Sequence, residues 1–349
     1  EESLELIVQD HLAELEWQAG HGPDFAPGSG ERDAWNDIVL RGRLRNAVRN
    51  LNPDVPEEYL DQAIGEVITP KSQSAIAENR RIHQILVEGY RGIEYIDHEG
   101  NIQNPTIYFL SSQPHKNDYL SLNQVTIANL DGERRFDVVC YVNGMPLAFI
   151  ELKKTGANTS VEGAYNQLQT YVKEFGMAFR FANIVIPSDD LSAKYGTPFT
   201  PWNHFAPWNV DEDGSPVDPN NMVVAGEPVT QLDLLLDGLF NVERFGQLYS
   251  DFTAFDDTAE GLIMRIAKPH QYFAVTKAVG STITAARGDK RAGVIWHTTG
   301  AGKSMEMELY TAKIMRRPEM LSPTVIVLND RTELDEQLFE TFNRSPILP

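Results

Sequence analysis

Three residues within one short stretch of this chain could carry out hydrolysis together. The stretch is FDVVCYVNGMPLAFIELKK, residues 136–154, and the residues are Asp137, Glu151 and Lys153. Two carboxylates can hold a hard cation such as Mg²⁺ through oxygen ligands. A cation so placed polarises a phosphate ester and lowers the pKa of a bound water. A lysine beside it can orient that water or stabilise the developing negative charge. Asp137 and Glu151 are therefore the candidate metal ligands, and Lys153 joins them as a catalytic candidate.

Whether the three residues meet depends on the turn between two apolar strands. Asn143-Gly144 is a strong turn signal. A two-residue loop would pair Asp137 with Ile150 and put the carboxylates on opposite faces of the sheet. An odd-length loop, such as a three-residue turn with a bulge, pairs Asp137 with Glu151 and puts both on one face. The chemistry predicts the second register. Lys153, two residues beyond Glu151, then shares that face, and Leu152 points away into the core. Charges that end an apolar run are costly unless paired or bound to metal.

A second stretch, VIWHTTGAGKS at residues 294–304, reads as a strand running into a phosphate-binding loop and a helix. The full pattern is G-x-x-x-x-G-K-[ST], and here His297 replaces the first glycine. Thr299, Gly300, Ala301 and Gly302 would offer backbone N–H groups to phosphates at a helix N-terminus. Lys303 would meet the β- and γ-phosphates, and Ser304 would bind Mg²⁺. ATP and Mg²⁺ are the expected cofactors.

The elements that must position these groups can be read from periodicity. Helices are predicted over 2–18, 34–50, 56–66, 161–175 and 232–247. Strands are predicted over 104–110, 119–130, 136–153 (as a hairpin) and 179–187. Residues 188–220 read as a loop-rich insertion. From about residue 260 the pattern changes to helix, strand, loop, helix, strand, as in a parallel α/β sheet. The predicted strands there are 292–296 and the apolar part of 323–338. The fold class is α/β in two units, 1–258 and 259–349. The length of 349 residues also favours two domains.

Composition narrows the setting. The net charge of −20 comes from 50 acidic and 30 basic residues, so charge alone does not point to DNA. The basic residues do cluster, at Arg41, Arg43, Arg45 and Arg49, at Arg80, Arg81 and Arg91, and at Arg134, Arg135, Lys153 and Lys154. A single cysteine, Cys140, excludes a disulfide framework and suggests a reducing cytoplasm. No apolar run reaches the roughly 20 residues needed to span a bilayer. A cytoplasmic protein with no membrane partner is expected. The missing initial Met and the stop at Pro349 suggest a piece of a longer protein. Such a piece is expected to bind nucleotide weakly without turning it over.

With Gln167 and Tyr171 on one face of the helix that follows the hairpin, the first constellation resembles the PD-(D/E)xK nucleases. It is most similar to the subgroup with a Gln-x-x-x-Tyr helix, in which an N-terminal helix adds a glutamate to the metal site. That resemblance implies catalytic roles for Gln167, Tyr171 and Glu5, with Glu2 as the alternative to Glu5. Phe136 stands where the family usually has Pro. The second constellation resembles the ATP loop of superfamily 2 helicases, which implies the start of a RecA-like domain and an adenine-reading role for Gln271 in KPHQYFAV. VLNDRTELDEQL then matches the motif after the loop. Nuclease first and motor second resembles the N-terminal part of the restriction (R) subunit of type I restriction–modification enzymes. This implies a site-specific deoxyribonuclease that translocates and cuts double-stranded DNA, with methyltransferase and specificity subunits as partners. Alternatives are a repair or phage helicase–nuclease, and an ATP-dependent DNA-binding module with a degenerate nuclease.

Overall fold

The computed structural model describes the chain except residues 1, 131, 155–159, 190, 220, 299, 329–341 and 343–349. The first half contains α1 (Glu2–Glu14), β1 (Gln18–His21), α2 (Arg41–Leu51), α3 (Glu57–Ile68), α4 (Ala75–Glu88), β2 (Tyr119–Asn129), β3 (Gly132–Val142) and β4 (Met145–Leu152). There follow α5 (Val161–Glu174), β5 (Ile184–Ser188), α6 (Gln231–Phe240), α7 (Val242–Asp251), β6 (Thr253–Thr258), β7 (Gly261–Ile266), α8 (Pro269–Arg287) and α9 (Lys303–Met315).

A mixed five-stranded sheet in the order β1-β2-β3-β4-β5 organises the N-terminal part. β2, β3 and β4 are antiparallel neighbours, whereas β1 and β5 pair in parallel with the strands beside them. Every residue of β4 is buried. A strand covered on both faces needs a continuous apolar run, and β4 has one up to Glu151. Val139, Tyr141, Phe149, Leu168 and Tyr171 form the core between the sheet and α5. Val138, Cys140, Ala148, Ile150 and Leu152 face the other core, which α1, α6 and α7 share. Trp17 seals that side, with ring centroids 5.0 Å from Tyr119, 5.5 Å from Phe240 and 5.2 Å from Phe245.

The register that decides the chemistry arises differently from the expectation. Val142 pairs with Met145, so the turn has only two residues. Asn143 and Gly144 have φ of 52° and 79°, as a type I′ turn needs. The parity change comes inside β4. Tyr141 pairs with Pro146 but Cys140 pairs with Ala148, which leaves Leu147 as a bulge residue. Val138 then meets Ile150, and Asp137 falls opposite Glu151.

Other departures have local causes. The predicted 34–50 helix starts only at Arg41, because the buried Arg32 guanidinium binds the carbonyls of Asp37, Trp35 and Thr126 and holds that segment irregular. Residues 104–110 form no strand. Asn52 takes both the N–H and the C=O of Tyr108 with its side chain, and Ile107 makes one isolated bridge to Tyr90. The predicted 179–187 strand begins at Ile184, after a 3₁₀ turn whose Phe179 and Ala182 carbonyls accept from Asn79. The 2–18 helix stops at Glu14, and Glu16 has a positive φ of 71°. The 232–247 helix is broken at Asn241, which caps α7 through the Arg244 amide. The α4 helix was not anticipated from the sequence.

Neither 292–296 nor 323–328 is a strand, contrary to expectation. Val294 and Trp296 are exposed, as are Ile326 and Leu328. A parallel strand is stable only between neighbours that cover it, and neither segment pairs with a strand among the described residues. The β6–β7 hairpin crosses residue 258, the junction read from the sequence.

Two predictions follow from this packing. A Cβ on Gly144 would collide with the Leu40 carbonyl and come within 2.7 Å of the Leu44 amide. Gly144→Ala is expected to destabilise the protein by about 1–3 kcal/mol, read as a lower urea midpoint at unchanged m. The second concerns α1. His11 lies 3.7 Å from Asp233 and 2.7 Å from Asp237 on α6. These carboxylates raise its pKa from 6.5 to about 9. A raised folded-state pKa contributes stability that is complete below the unfolded value and is lost as pH rises through the folded one. Unfolding free energy should therefore fall between pH 6.5 and 9, and His11→Gln should flatten that slope.

Candidate functional site

Glu151 shares parity with Phe149 on the α5 side of the sheet, and Asp137 lies opposite it, close enough that both charges act on the Tyr171 hydroxyl of α5. Asp137 Oδ2 accepts a hydrogen bond from the Leu152 amide at 2.7 Å, which ties the first carboxylate to the strand carrying the second. Glu151 is only 1% exposed, and Lys153 Nζ donates to its Oε1 at 3.1 Å. The Lys153 amide donates to Ser188 on β5 at 2.9 Å, so neighbouring strands grip the end of β4 from both sides. A buried carboxylate is tolerated only with such compensation.

The α5 helix supplies Gln167 and Tyr171. Ser160 caps it by accepting from the Gly163 amide. Gln167 Nε2 donates to the Tyr171 hydroxyl. The Tyr171 ring packs edge-on to Phe136 at 5.4 Å, the residue that stands where the resembled pattern has proline. Burial pushes the Tyr171 hydroxyl up to about 12, and the Glu151 and Asp137 charges push the same way. It stays protonated at neutral pH and can donate a hydrogen bond.

Glu5, on the first turns of α1, is also 1% exposed. Asn123 Nδ2 donates to Glu5 Oε2 at 3.4 Å, and Asn123 Oδ1 lies 2.9 Å from His21 Nδ1. Asn123 pairs with Val138, which faces the core that α1 shares, so it holds the Glu5 carboxylate on the α1 side of the sheet. Sequence reasoning missed Asn123. Its one signal was a polar residue at a buried position of YLSLNQVTIAN. The next residue, Gln124, has φ of 52° inside the strand and stands opposite Asp137. A left-handed residue inside a strand, unlike one at a turn or helix end, breaks the pleat locally and re-aims the neighbouring side chains. Asp137, Glu151 and Lys153 thus offer two carboxylates and one ammonium in a largely buried setting, a donor set that fits a hard divalent cation.

The second constellation is a loop entering α9. Gly302 is the N-cap with φ of 84°, and Gly300 has the same φ. Left-handed glycines let backbone N–H groups turn toward one side. Lys303 opens the helix, with Ser304 in its first turn. Lys303 Nζ donates to the Thr298 carbonyl at 3.0 Å. Gln271 is buried and donates to the carbonyls of Ala301 at 3.2 Å and Gly302 at 3.4 Å. A Cβ at Gly302 would strike the Gln271 amide, so the loop seats closely on α8. These features fit a phosphate cradle. Thr299 and residues 329–338 of VLNDRTELDEQL lie outside the described residues.

The arginine clusters are largely occupied within the fold. Arg41 pairs with Asp37, Arg43 with Asp118, Arg45 with Asp61 and Arg49 with Glu57. Arg80 pairs with Asp257, Arg81 with Glu78 and Arg134 with Glu174. Most are surface pairs worth little stability. No described helix is long and apolar enough to cross a membrane.

Comparison with known proteins now adds a family to this geometry. Residues 1–204 match the type I restriction enzyme R protein N terminus family, and residues 270–347 match the SWI2/SNF2 ATPase family. The type I restriction enzyme HindI endonuclease subunit of Haemophilus influenzae is 33% identical over 98% of this chain and 32% of its own length. The type I restriction enzyme SauCOLORF180P endonuclease subunit of Staphylococcus aureus is 26% identical over 66% of the chain and 22% of its own length. The chain spans about a third of the length of the first of these curated relatives. With the family match covering more than half of its residues, the chain belongs to the type I restriction enzyme R protein family, of which it carries the N-terminal part.

Proposed function

We propose that this chain carries the DNA-cleaving centre and the start of the ATP-driven motor of a type I restriction enzyme. In this reading residues 1–258 are a PD-(D/E)xK-type nuclease unit and 259–349 open a RecA-like motor domain. The substrate is double-stranded DNA, cut after ATP-dependent translocation. Methyltransferase and specificity subunits complete the complex. The observation that carries the reading is the buried Glu151 carboxylate, opposite Asp137 and bonded to Lys153.

Each residue then has a role. Asp137 and Glu151 hold Mg²⁺, which when bound polarises the scissile phosphate and makes a coordinated water more acidic. Lys153 orients the attacking water and neutralises charge that develops on the phosphate. Gln167 and Tyr171 form a neutral donor pair beside the carboxylates, suited to a phosphate oxygen of the strand being cut. Glu5 reaches toward the metal site from α1, held by Asn123. At the second site Lys303 binds the β- and γ-phosphates of ATP, and Ser304 binds its Mg²⁺. Thr299, Gly300, Ala301 and Gly302 supply the loop around the phosphates, and Gln271 reads the adenine.

Two experiments test this in the assembled complex. Asp137→Ala, Glu151→Ala and Lys153→Ala should each lower DNA cleavage by at least roughly 10²-fold while ATP hydrolysis continues. Cleavage at the normal rate in these variants would end the assignment. Asn123→Ala should lower cleavage by about 10–100-fold and raise the Mg²⁺ concentration for half-maximal rate, as loss of an outer-shell partner does. An unchanged Mg²⁺ requirement would mean that Asn123 only supports packing.

A further inference from the structure

Beside the phosphate loop, three side chains from separate segments converge. His270 lies in the first turn of α8, His297 just before the loop, and Glu306 in the first turn of α9. One donor atom from each lies within 4.8 Å of the others. His297 Nδ1 is 2.7 Å from Glu306 Oε1, and His270 Nε2 is 4.0 Å from that same oxygen. The two imidazole rings meet edge to face at 5.2 Å. Glu306 is 3% exposed, so its carboxylate is already desolvated and turned inward.

We propose that His270, His297 and Glu306 bind a divalent transition metal of the Zn²⁺ class. Two imidazoles and one carboxylate make a donor set suited to Zn²⁺, Ni²⁺ or Co²⁺ rather than Mg²⁺. Zinc takes histidine nitrogen and carboxylate oxygen at about 2.0–2.2 Å, so the ligand atoms of a tetrahedral site lie roughly 3.3–3.6 Å apart. The present separations bracket that span. The 2.7 Å hydrogen bond opens by less than an ångström, and the 4.0 Å gap closes by about half of one. Side-chain rotation is enough, because no ligand sits on an interior strand. The fourth position is open to water. His270 Nε2 now lies 2.9 Å from the Ala301 carbonyl, and binding redirects it to the ion. Gln271 remains on that carbonyl. The ion thereby joins α8, the loop and α9 through one centre. The site is chemically distinct from the Asp137–Glu151 pair, which offers oxygen alone.

The test is calorimetric titration of Zn²⁺ into the 349-residue chain carrying Asp137→Ala and Glu151→Ala, which removes the oxygen site from the count. One equivalent should bind. Ni²⁺ should quench tryptophan emission in parallel, because the exposed Trp296 adjoins His297. His297→Ala and Glu306→Gln should each weaken binding by more than the roughly 10–100-fold typical of an outer-shell change. His270→Ala should do the same. Its side chain is 39% exposed, so the fold should survive, as an unchanged far-UV spectrum would show. His98→Ala, at an exposed turn, should leave binding as it was. Failure to bind one equivalent, or binding that survives His270→Ala, overturns the proposal and leaves His297–Glu306 as a hydrogen bond that shapes the loop.

Discussion

Placing a carboxylate where water cannot reach it costs several kcal/mol unless charge and hydrogen bonds compensate, and much of the N-terminal unit is arranged around Glu151. Its strand is buried along its whole length. Lys153 supplies the compensating charge two residues on. The Asp137 carboxylate binds the Leu152 amide between them. β5 takes the Lys153 amide and so clamps the end of the strand. If Glu151 faced the other side of the sheet, it would enter the apolar core that holds Ile150 and Leu152, away from Lys153 and Asp137.

One bulge keeps it on the correct side. The Asn143–Gly144 turn is tied down on several sides. The Asn143 amide donates to Asp118, its side chain accepts from the Asp118 amide, and its Nδ2 donates to Phe109. A two-residue turn held this firmly would fix the wrong parity along the whole of β4. Leu147 corrects it by stepping out of the pairing. The backbone irregularity at Gln124, opposite Asp137, re-aims the neighbouring strand at the same level. Bulges and strained residues next to a site commonly serve to re-aim side chains. The two irregularities flank the two carboxylates.

The C-terminal part is built differently. Its helices are in place, and Gln271 and His270 hold the phosphate loop against α8. Helices close their hydrogen bonds internally, so α8 and α9 form from local sequence. A strand must borrow its partners from elsewhere in the chain. This contrast accounts for helices without a sheet among the described residues.

The residue types and spacings were enough to single out Asp137, Glu151 and Lys153, the Gln167–Tyr171 pair and the loop at Gly300–Ser304, because each is a local pattern. The same holds for α5, for the Asn-Gly turn and for the apolar length of β2. That Asp137 should oppose Glu151 was expected from the chemistry of a shared site, by way of an odd-length turn that the structure replaces with a bulge. How that register is achieved was not legible. A bulge at Leu147 has no signature in LAFIEL, and only pairing with β3 reveals it. The same is true of Asn123, whose partner Glu5 is 118 residues away, and of His11 on Asp237, separated by 226. The absent strands at 292–296 and 323–328 mark the same boundary. Local sequence sets what a segment can form, whereas tertiary contacts decide which buried polar groups find partners and which apolar strands find neighbours.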